Sequence, residues 1–185
     1  MRNLTRISRV IGLAISAAMA FAANTFVQAS PSDVSEVRNT VQHVFDQLKA
    51  GNFGALYDVL PSSSQSRISR EQFVSALDSS RNLFQLERIE VGAVRVSGDL
   101  AVVDTVMYAH VAPPFDADGK MVVQQYLIRE NGSWRVATGD RETIDRFLSA
   151  NPTFARKFPI KRPVIYVKRD GNWVVFDPKN IGRRK

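Results

Sequence analysis

The sequence predicts an α+β domain in which helices come first and antiparallel strands follow. Apolar residues recur at helical spacing up to residue 77, and alternating or continuous apolar runs replace that spacing from residue 83 onwards. Two turn motifs, Asn131-Gly132 and Asp170-Gly171, each join two such runs and are typical of β-hairpins. Helices followed by a run of antiparallel strands indicate a sheet with helices packed on one face.

Three helices are predicted ahead of the sheet. The first, Asp33–Ala50, is amphipathic and is stopped by Gly51, which favours a left-handed backbone. A short second helix, Phe53–Leu60, ends at Pro61, and a polar loop follows. The third begins at the capping box Ser69-Arg70-Glu71-Gln72. The apolar stripe of the first helix consists of Val34, Val37, Val41, Val44, Phe45 and Leu48.

The strands are predicted from the change to period-two or continuous apolar runs. The first, Leu83–Val96, contains Gly92, which marks a bulge or bend. The second, Leu100–Val111, is apolar enough to be central in the sheet. The third, Lys120–Glu130, returns as Ser133–Thr138. A helix over Asp140–Ala150 and the hairpin of Val164–Arg169 with Asn172–Phe176 complete the chain.

The first 29 residues have the pattern of a secretory signal peptide. Arg2, Arg6 and Arg9 precede an uncharged apolar run, and Val27-Gln28-Ala29 supplies small residues for cleavage. We expect cleavage after Ala29, with Ala20-Phe21-Ala22 as a second option, and export to the periplasm or the extracellular space. The apolar run is shorter than the roughly 20 residues that a bilayer crossing needs.

Composition excludes several classes of protein. The chain has no cysteine, so it has no disulfides, no thiolate metal site and no lipoprotein acylation site. The net charge of +7 comes largely from the signal arginines and from a basic tail over residues 179–185, which we expect to be disordered. The body over residues 30–178 is therefore nearly neutral, and no nucleic-acid partner is predicted.

Several motifs resemble the nuclear transport factor 2-like superfamily, also called the SnoaL or cystatin-like cone fold. The first helix ends in Leu48-Lys-Ala-Gly-Asn-Phe, and the strands contain Gly98-Asp-Leu-Ala-Val-Val and Arg129-Glu-Asn-Gly-Ser-Trp-Arg-Val. The resemblance covers residues 33–139, and 140–178 form a C-terminal extension that enlarges the sheet or closes the pocket mouth. It implies a cone-shaped, strongly bent antiparallel sheet with the N-terminal helices on its concave face. The segment Ile68-Ser-Arg-Glu-Gln-Phe-Val is also similar to the N-terminal domain of penicillin-binding proteins of the methicillin-resistance type.

The superfamily resemblance implies a pocket inside the cone, where isomerase-like members use a carboxylate base and a tyrosine. On the second strand, Asp104, Tyr108 and His110 share one face. Asp104 and His110 lie about 20 Å apart along the strand, whereas Tyr108 and His110 lie only about 6.6 Å apart. Asp104 and Tyr108 are the catalytic candidates if this face points into the cone. We favour the outward or partly covered orientation, because the opposite face is the cleaner core pattern.

The candidate ligand-binding residues are Tyr57, Asp104, Tyr108, His110 and Tyr126. His43 is expected to face solvent, because it lies opposite the apolar stripe of its helix. The two histidines lack metal-ligand spacing, and we predict neither a metal nor a cofactor. Asp116-Ala-Asp-Gly119 is interpreted as a turn, because the later ligands of a calcium loop are missing.

Both predicted hairpins place a cation opposite a tryptophan. Arg129 would pair with Trp134 and Lys168 with Trp173, a geometry that favours cation–π contacts on the sheet surface. Such contacts are usually structural, and a ligand-stacking platform is the alternative.

No constellation of residues requires catalysis, so the sequence favours a non-catalytic module that binds a small apolar ligand or a protein partner in the cell envelope. Two alternatives stay open. One is an isomerase- or dehydratase-type enzyme with Asp104 as base and Tyr108 or Tyr57 as hydrogen-bond donor. The other is a structural protein that dimerises through its sheet.

Overall fold

A computed structural model describes residues 30–113, 115–139 and 141–176, which form six helices and six strands. The helices are α1 Pro31–Ala50, α2 Phe53–Asp58, α3 Ser62–Gln65, α4 Arg70–Ser80, α5 Arg141–Ala150 and α6 Pro152–Lys157. The strands are β1 Phe84–Ser97, β2 Leu100–Val111, β3 Ala117–Glu130, β4 Ser133–Val136, β5 Val164–Arg169 and β6 Asn172–Val175. The predicted signal segment, its cleavage site and the basic tail lie outside the described residues.

The α+β class with N-terminal helices and an antiparallel sheet is confirmed, and the differences are local. α1 begins two residues early, at Pro31, with Ser30 as its N-cap. The loop predicted after Pro61 contains the short helix α3. Pro152 does not only stop α5 but opens α6, because proline fits the first turn of a helix, where its missing N–H costs nothing.

The sheet is antiparallel, with strand order β1-β2-β3-β5-β6. β3 is long enough to pair with two strands on the same side: Gly119–Val122 pair with β5, and Leu127–Glu130 pair with β4. The C-terminal hairpin therefore enlarges the sheet, which is one of the two roles predicted for it. A register shift between Val91 and Val94 places the expected bulge at Gly92.

One face of the sheet packs against α1. Val37 and Val41 of α1 meet Ala101, Val103 and Leu127 of the central strands in a core from which solvent is nearly excluded. This is the face that the sequence predicted as the core. His43 lies on the opposite side of α1 and is exposed, as predicted.

The second face is covered at one end by the C-terminal helices. Val102 and Tyr126 of the sheet are buried beneath Leu148 of α5 and Phe154 of α6. Of the outward or partly covered orientations predicted for this face, the structure has the partly covered one, and the sequence gave no sign that α5 and α6 supply the cover. Asp104, further along β2, is partly covered, with 33% of its side chain exposed. Within the described residues, no helix combines the length and apolarity that a membrane crossing requires.

Candidate functional site

The apolar cavity beneath α4 is the feature of the described residues best suited to hold a ligand. It measures about 500 Å³, within the range of small-molecule sites, and it lies between α1, α2, α4 and β4. Its walls are mainly aliphatic and aromatic, with a few polar groups at one end. The lining residues used below are Val44, Leu48, Phe73, Leu77, Val136 and Thr138, together with Arg67 and Arg141.

α4 lies along this cavity and contacts α2. None of its residues is buried, although Phe73 and Leu77 are the kind of side chains that normally enter a core. Both side chains line the cavity and are only partly buried. An amphipathic helix whose apolar side faces an open space is the geometry of a cover over a binding site.

Local contacts hold α4 in this position over the cavity. Its first turn is closed by the predicted capping box, in which the Ser69 hydroxyl accepts from the Gln72 amide and the Gln72 side chain accepts from the Ser69 amide. The Tyr57 hydroxyl lies 3.0 Å from the carbonyl oxygens of both Gln65 and Ile68, just before α4. The Tyr57 ring also meets the Phe73 ring edge-on at 5.8 Å. Tyr57 therefore supports the cavity cover from behind.

Two further cavities adjoin the first. One, of about 590 Å³, extends towards the start of β1 and shares Leu48 and Leu77 with it. The other, of about 200 Å³, lies between α1 and the sheet and shares Val44, Leu48 and Val136. Leu48 lines all three, so the spaces form one apolar region that follows the inner side of α1.

Among the described residues that line these three cavities, the charged ones are basic. Arg67 and Arg141 lie at the α5 end, and Lys49 and Arg81 lie at the β1 end. Among the described lining residues there is no aspartate or glutamate. On α5, Glu142 lies 3.8 Å from Arg67, and Asp145 lies 3.3 Å from Arg141.

The structure does not bring the sequence-predicted site residues together. Tyr57 lies behind the cavity cover. Asp104 and Tyr126 lie on the other face of the sheet, in the part covered by α6 and the loop after it. Tyr108 and His110 lie further along that face, beyond the C-terminal helices. Their shared strand face was predicted correctly, but the cavity beneath α4 lies against the opposite face of the sheet. Of the two, His110 also contributes to the lining of the adjoining cavity at the start of β1.

Asp104 belongs to a polar network that favours its charged form. Arg95 donates to one carboxylate oxygen and the Gln124 amide to the other, and these contacts, Arg95 first, lower the pKa of Asp104. Tyr126 donates to the Gln124 carbonyl at 3.0 Å, and burial raises the pKa of the Tyr126 phenol. A general base of the isomerase type needs the opposite environment, a carboxyl group with a raised pKa in an apolar site.

Tyr108 and His110 each make surface contacts. Arg88 stacks over the Tyr108 ring at 3.5 Å, and Trp173 meets that ring edge-on at 6.1 Å. His110 lies between two carboxylates, with Nε2 3.1 Å from Asp116 and Nδ1 3.4 Å from Asp118. These hydrogen bonds, that to Asp118 first, raise the pKa of His110.

The two tryptophans behave differently from each other. Arg129 stacks over Trp134 at 4.4 Å, as predicted, but the pair packs under α1 with Trp134 buried, so it is not on the surface. Trp173 lies opposite Lys168 in register, yet the cation over its ring is Lys120, at 4.7 Å. Lys168 instead approaches Asp118 at 3.6 Å. The tryptophans lie on opposite faces of the sheet and do not form one platform.

Comparisons with solved structures found similar folds. An NTF2-like transpeptidase from Campylobacter jejuni is 9% identical, with a TM-score of 0.40 over 54% of this chain and 95% of its own. A domain of unknown function with a cystatin-like fold from Nostoc punctiforme is 13% identical, with a TM-score of 0.44 over 70% of this chain and 93% of its own. No family model matches the chain, and no curated protein matches it.

Proposed function

We propose that this chain is a non-catalytic binding module that holds a small apolar molecule in the cavity beneath α4. The observation that carries the proposal is α4 itself, an amphipathic helix with no buried residue, whose Phe73 and Leu77 line a cavity of about 500 Å³. Exposed apolar walls of this size cost free energy in water, at roughly 25 cal/mol per Å². A ligand that fills the cavity removes that cost.

The cover is anchored in a way that suits entry and release. The segment before α4 is fixed by Tyr57, and the start of α4 by the ion pair of Arg70 with Asp58. Both members of that pair are about half-exposed, and exposed ion pairs stabilise a protein only weakly. Helices with few buried contacts open at low free-energy cost, so α4 is the element expected to move when a ligand enters.

Within this proposal, export to the cell envelope stays part of the function predicted from the signal segment. The isomerase alternative has less support, because Asp104 is paired with Arg95 and contributes to none of the three cavities. The choice between a small molecule and a protein partner rests on shape: the apolar surface lines a concave, partly open space below α4, and a small molecule fits such a space better than a flat protein surface does.

An uncharged fluorescent probe, N-phenyl-1-naphthylamine, tests the proposal without involving charge. We expect saturable binding with one site per chain. The variant Leu77→Trp places an indole in the cavity and should abolish binding, whereas Ala76→Trp, on the exposed side of the same helix, should leave it unchanged. Thermal unfolding establishes that both variants are folded. Absence of saturable binding to the unchanged protein, or equal binding by both variants, would refute the proposal.

A second candidate, dimerisation through the sheet, is favoured by the edge strand β6. Val174 and Val175 are 38% and 60% exposed there, and exposed apolar edge strands are prone to pair with another chain. Trp134 is buried under α1 and is not part of such a surface, so the test uses β6. If β6 forms the interface, Val175→Lys converts a dimer to a monomer in sedimentation; a monomeric unchanged protein excludes this candidate.

A further inference from the structure

A run of basic residues extends from α5 to the end of β5. From residue 146 to residue 169 the sequence has seven basic residues and no aspartate or glutamate. Four of them lie close together in the sequence, at the end of α6 and in the loop that follows it, and all four are exposed. This basic patch consists of Arg156, Lys157, Lys161 and Arg162.

No carboxylate of the described residues forms an ion pair with the basic patch. The Arg156 guanidinium donates to the Thr153 hydroxyl at 3.4 Å. The Lys157 ammonium lies 5.4 Å from the centroid of the Phe158 ring. Neither contact neutralises the positive charge, so the patch attracts anions from solution.

Buried groups fix the backbone of the basic patch to the second face of the sheet. Phe154 of α6 is buried in the core there, and the Lys161 amide donates to the Gln124 side chain at 3.0 Å. The pKa of Asp104 is lowered mainly by its hydrogen bond with Arg95, and the charge of Lys161 makes the smallest contribution. Since the inner side of the segment is anchored, its exposed cations lie on the outer side.

An exposed apolar side chain lies between the cations of the basic patch. Ile160 is 37% exposed, and Pro159 and Pro163 beside it are exposed as well. None of these residues, and none of the patch, lines the three cavities described above. Cations around an exposed apolar side chain suit an anionic membrane surface, where the cations meet lipid phosphates and the apolar group enters the acyl boundary.

The C-terminal residues of the sequence add positive charge next to the basic patch. The Phe176 amide donates to the Ile165 carbonyl at 2.8 Å, so the described chain ends three residues along from Arg162. The nine residues that follow Phe176 contain four basic residues and one acidic residue. They begin beside the patch and have the same sign of net charge.

We propose that the basic patch docks on the surface of a membrane that contains anionic phospholipids. Its four cations lie against the lipid phosphates, and Ile160 lies at the boundary of the acyl chains. The inference goes beyond the proposed function and does not depend on it, because no residue of the patch lines the cavity beneath α4. A chain that fails to bind an apolar probe would leave this docking surface standing.

Co-sedimentation with phospholipid vesicles tests the inference. The protein used is the predicted exported form, residues 30–185, because the apolar signal segment would itself bind membranes. Vesicles of phosphatidylcholine and phosphatidylglycerol in equal parts should bind the protein, whereas vesicles of phosphatidylcholine alone should not. Each cation near an anionic membrane strengthens binding about fivefold. Raising the salt concentration should therefore weaken the binding.

Neutral variants assign the binding to the basic patch. Arg162→Gln should weaken binding to the mixed vesicles about fivefold, and the double variant with Lys157→Gln about 25-fold. Arg169→Gln is the matched control, because Arg169 is equally an exposed cation with no ion pair in the described part of the chain. It lies at the far end of β5, about 17 Å along the strand from Val164 and beyond the screening length of about 10 Å. Thermal unfolding establishes that each variant is folded.

Four outcomes would overturn the inference. The first is absence of binding to the mixed vesicles, or equal binding to the neutral ones. The second is an equal loss in Arg169→Gln and Arg162→Gln, which would reduce the effect to net charge. The third is full binding by the double variant together with loss of binding in a chain that ends at Phe176, which would assign the contact to the tail. The fourth is binding to polyglutamate without binding to the mixed vesicles, which would identify an acidic protein as the partner.

Discussion

Replacing Tyr57 by phenylalanine should loosen α4 by removing one hydroxyl group. That hydroxyl lies 3.0 Å from the carbonyl oxygens of Gln65 and Ile68, but its single proton is shared between them. The loss therefore amounts to about one hydrogen bond in a half-buried place, or about 1 kcal/mol. The ring contact with Phe73 is retained. Destabilising the closed form by about 1 kcal/mol relative to the open form raises the population of the open form about fivefold.

Native-state amide hydrogen exchange measures this opening directly. When closing is faster than exchange, the exchange rate follows the equilibrium between closed and open forms. The amides of α4 should exchange about fivefold faster in the variant, whereas those of α1, held by the fully buried Val37, should not change. The control is Tyr166→Phe, since Tyr166 makes no hydroxyl hydrogen bond within the described residues. Unchanged exchange in α4, or a uniform rise across the domain, would refute the account of α4 as a locally anchored cover.

Other perturbations test the ionic network, the surface histidine and the first helix. Arg95→Met should lower the free energy of unfolding by about 1–2 kcal/mol, because it leaves Asp104 partly buried without its partner. The stabilisation by the Arg95–Asp104 pair is fully present above the ordinary Asp104 pKa of 3.8 and is lost as pH falls through the lowered pKa of the folded state. In urea unfolding, the two proteins should therefore differ in stability at pH 7 and differ less at pH 2. NMR titration should place the pKa of His110 above 6.5. Its ion pairs with Asp116 and Asp118 are then fully present below pH 6.5 and weaken as pH rises through the pKa of the folded state. Asp118→Asn should move this pKa down, and no downward movement would contradict the assignment. Gly51→Ala should destabilise by about 1 kcal/mol, because φ is +77° there and the new Cβ would lie 3.0 Å from the Arg81 guanidinium; an unchanged melting temperature would contradict this.

Local chemistry in the sequence was sufficient to predict most elements of the fold. β2 matches the predicted bounds because the turn residues Gly98-Asp99 precede its apolar run and Pro113-Pro114 follow it. Both hairpin turns have positive φ at their two central residues, as Asn-Gly and Asp-Gly favour. The capping box of α4 forms as predicted, because it depends on four consecutive residues alone.

The cavity could not be predicted, because it depends on the distance between α4 and the sheet. Phe73 and Leu77 have the spacing of an ordinary core-facing helix. No local pattern distinguishes a helix that packs on the core from one that faces a cavity. What could have been noticed is that α4 is flanked by polar residues and carries few large apolar side chains for its length.

The partner of Asp104 was missed although a signal for it was present. A two-residue turn at Gly98-Asp99 sets Ser97 opposite Leu100 and Arg95 opposite Val102. Arg95 and Asp104 then lie diagonally on one face, within reach of each other. Working out this register would have shown Asp104 as half of an ion pair before any catalytic role was considered.

The most direct test of the central claim is a nuclear Overhauser measurement between bound N-phenyl-1-naphthylamine and the protein. We expect contacts from the ring protons of the probe to the ring of Phe73 and the methyl groups of Leu77 and Val136, which line the cavity beneath α4. Contacts confined to Tyr108 and Trp173, on the other face of the sheet, would contradict the account, as would a ligand that shows no contact to α4.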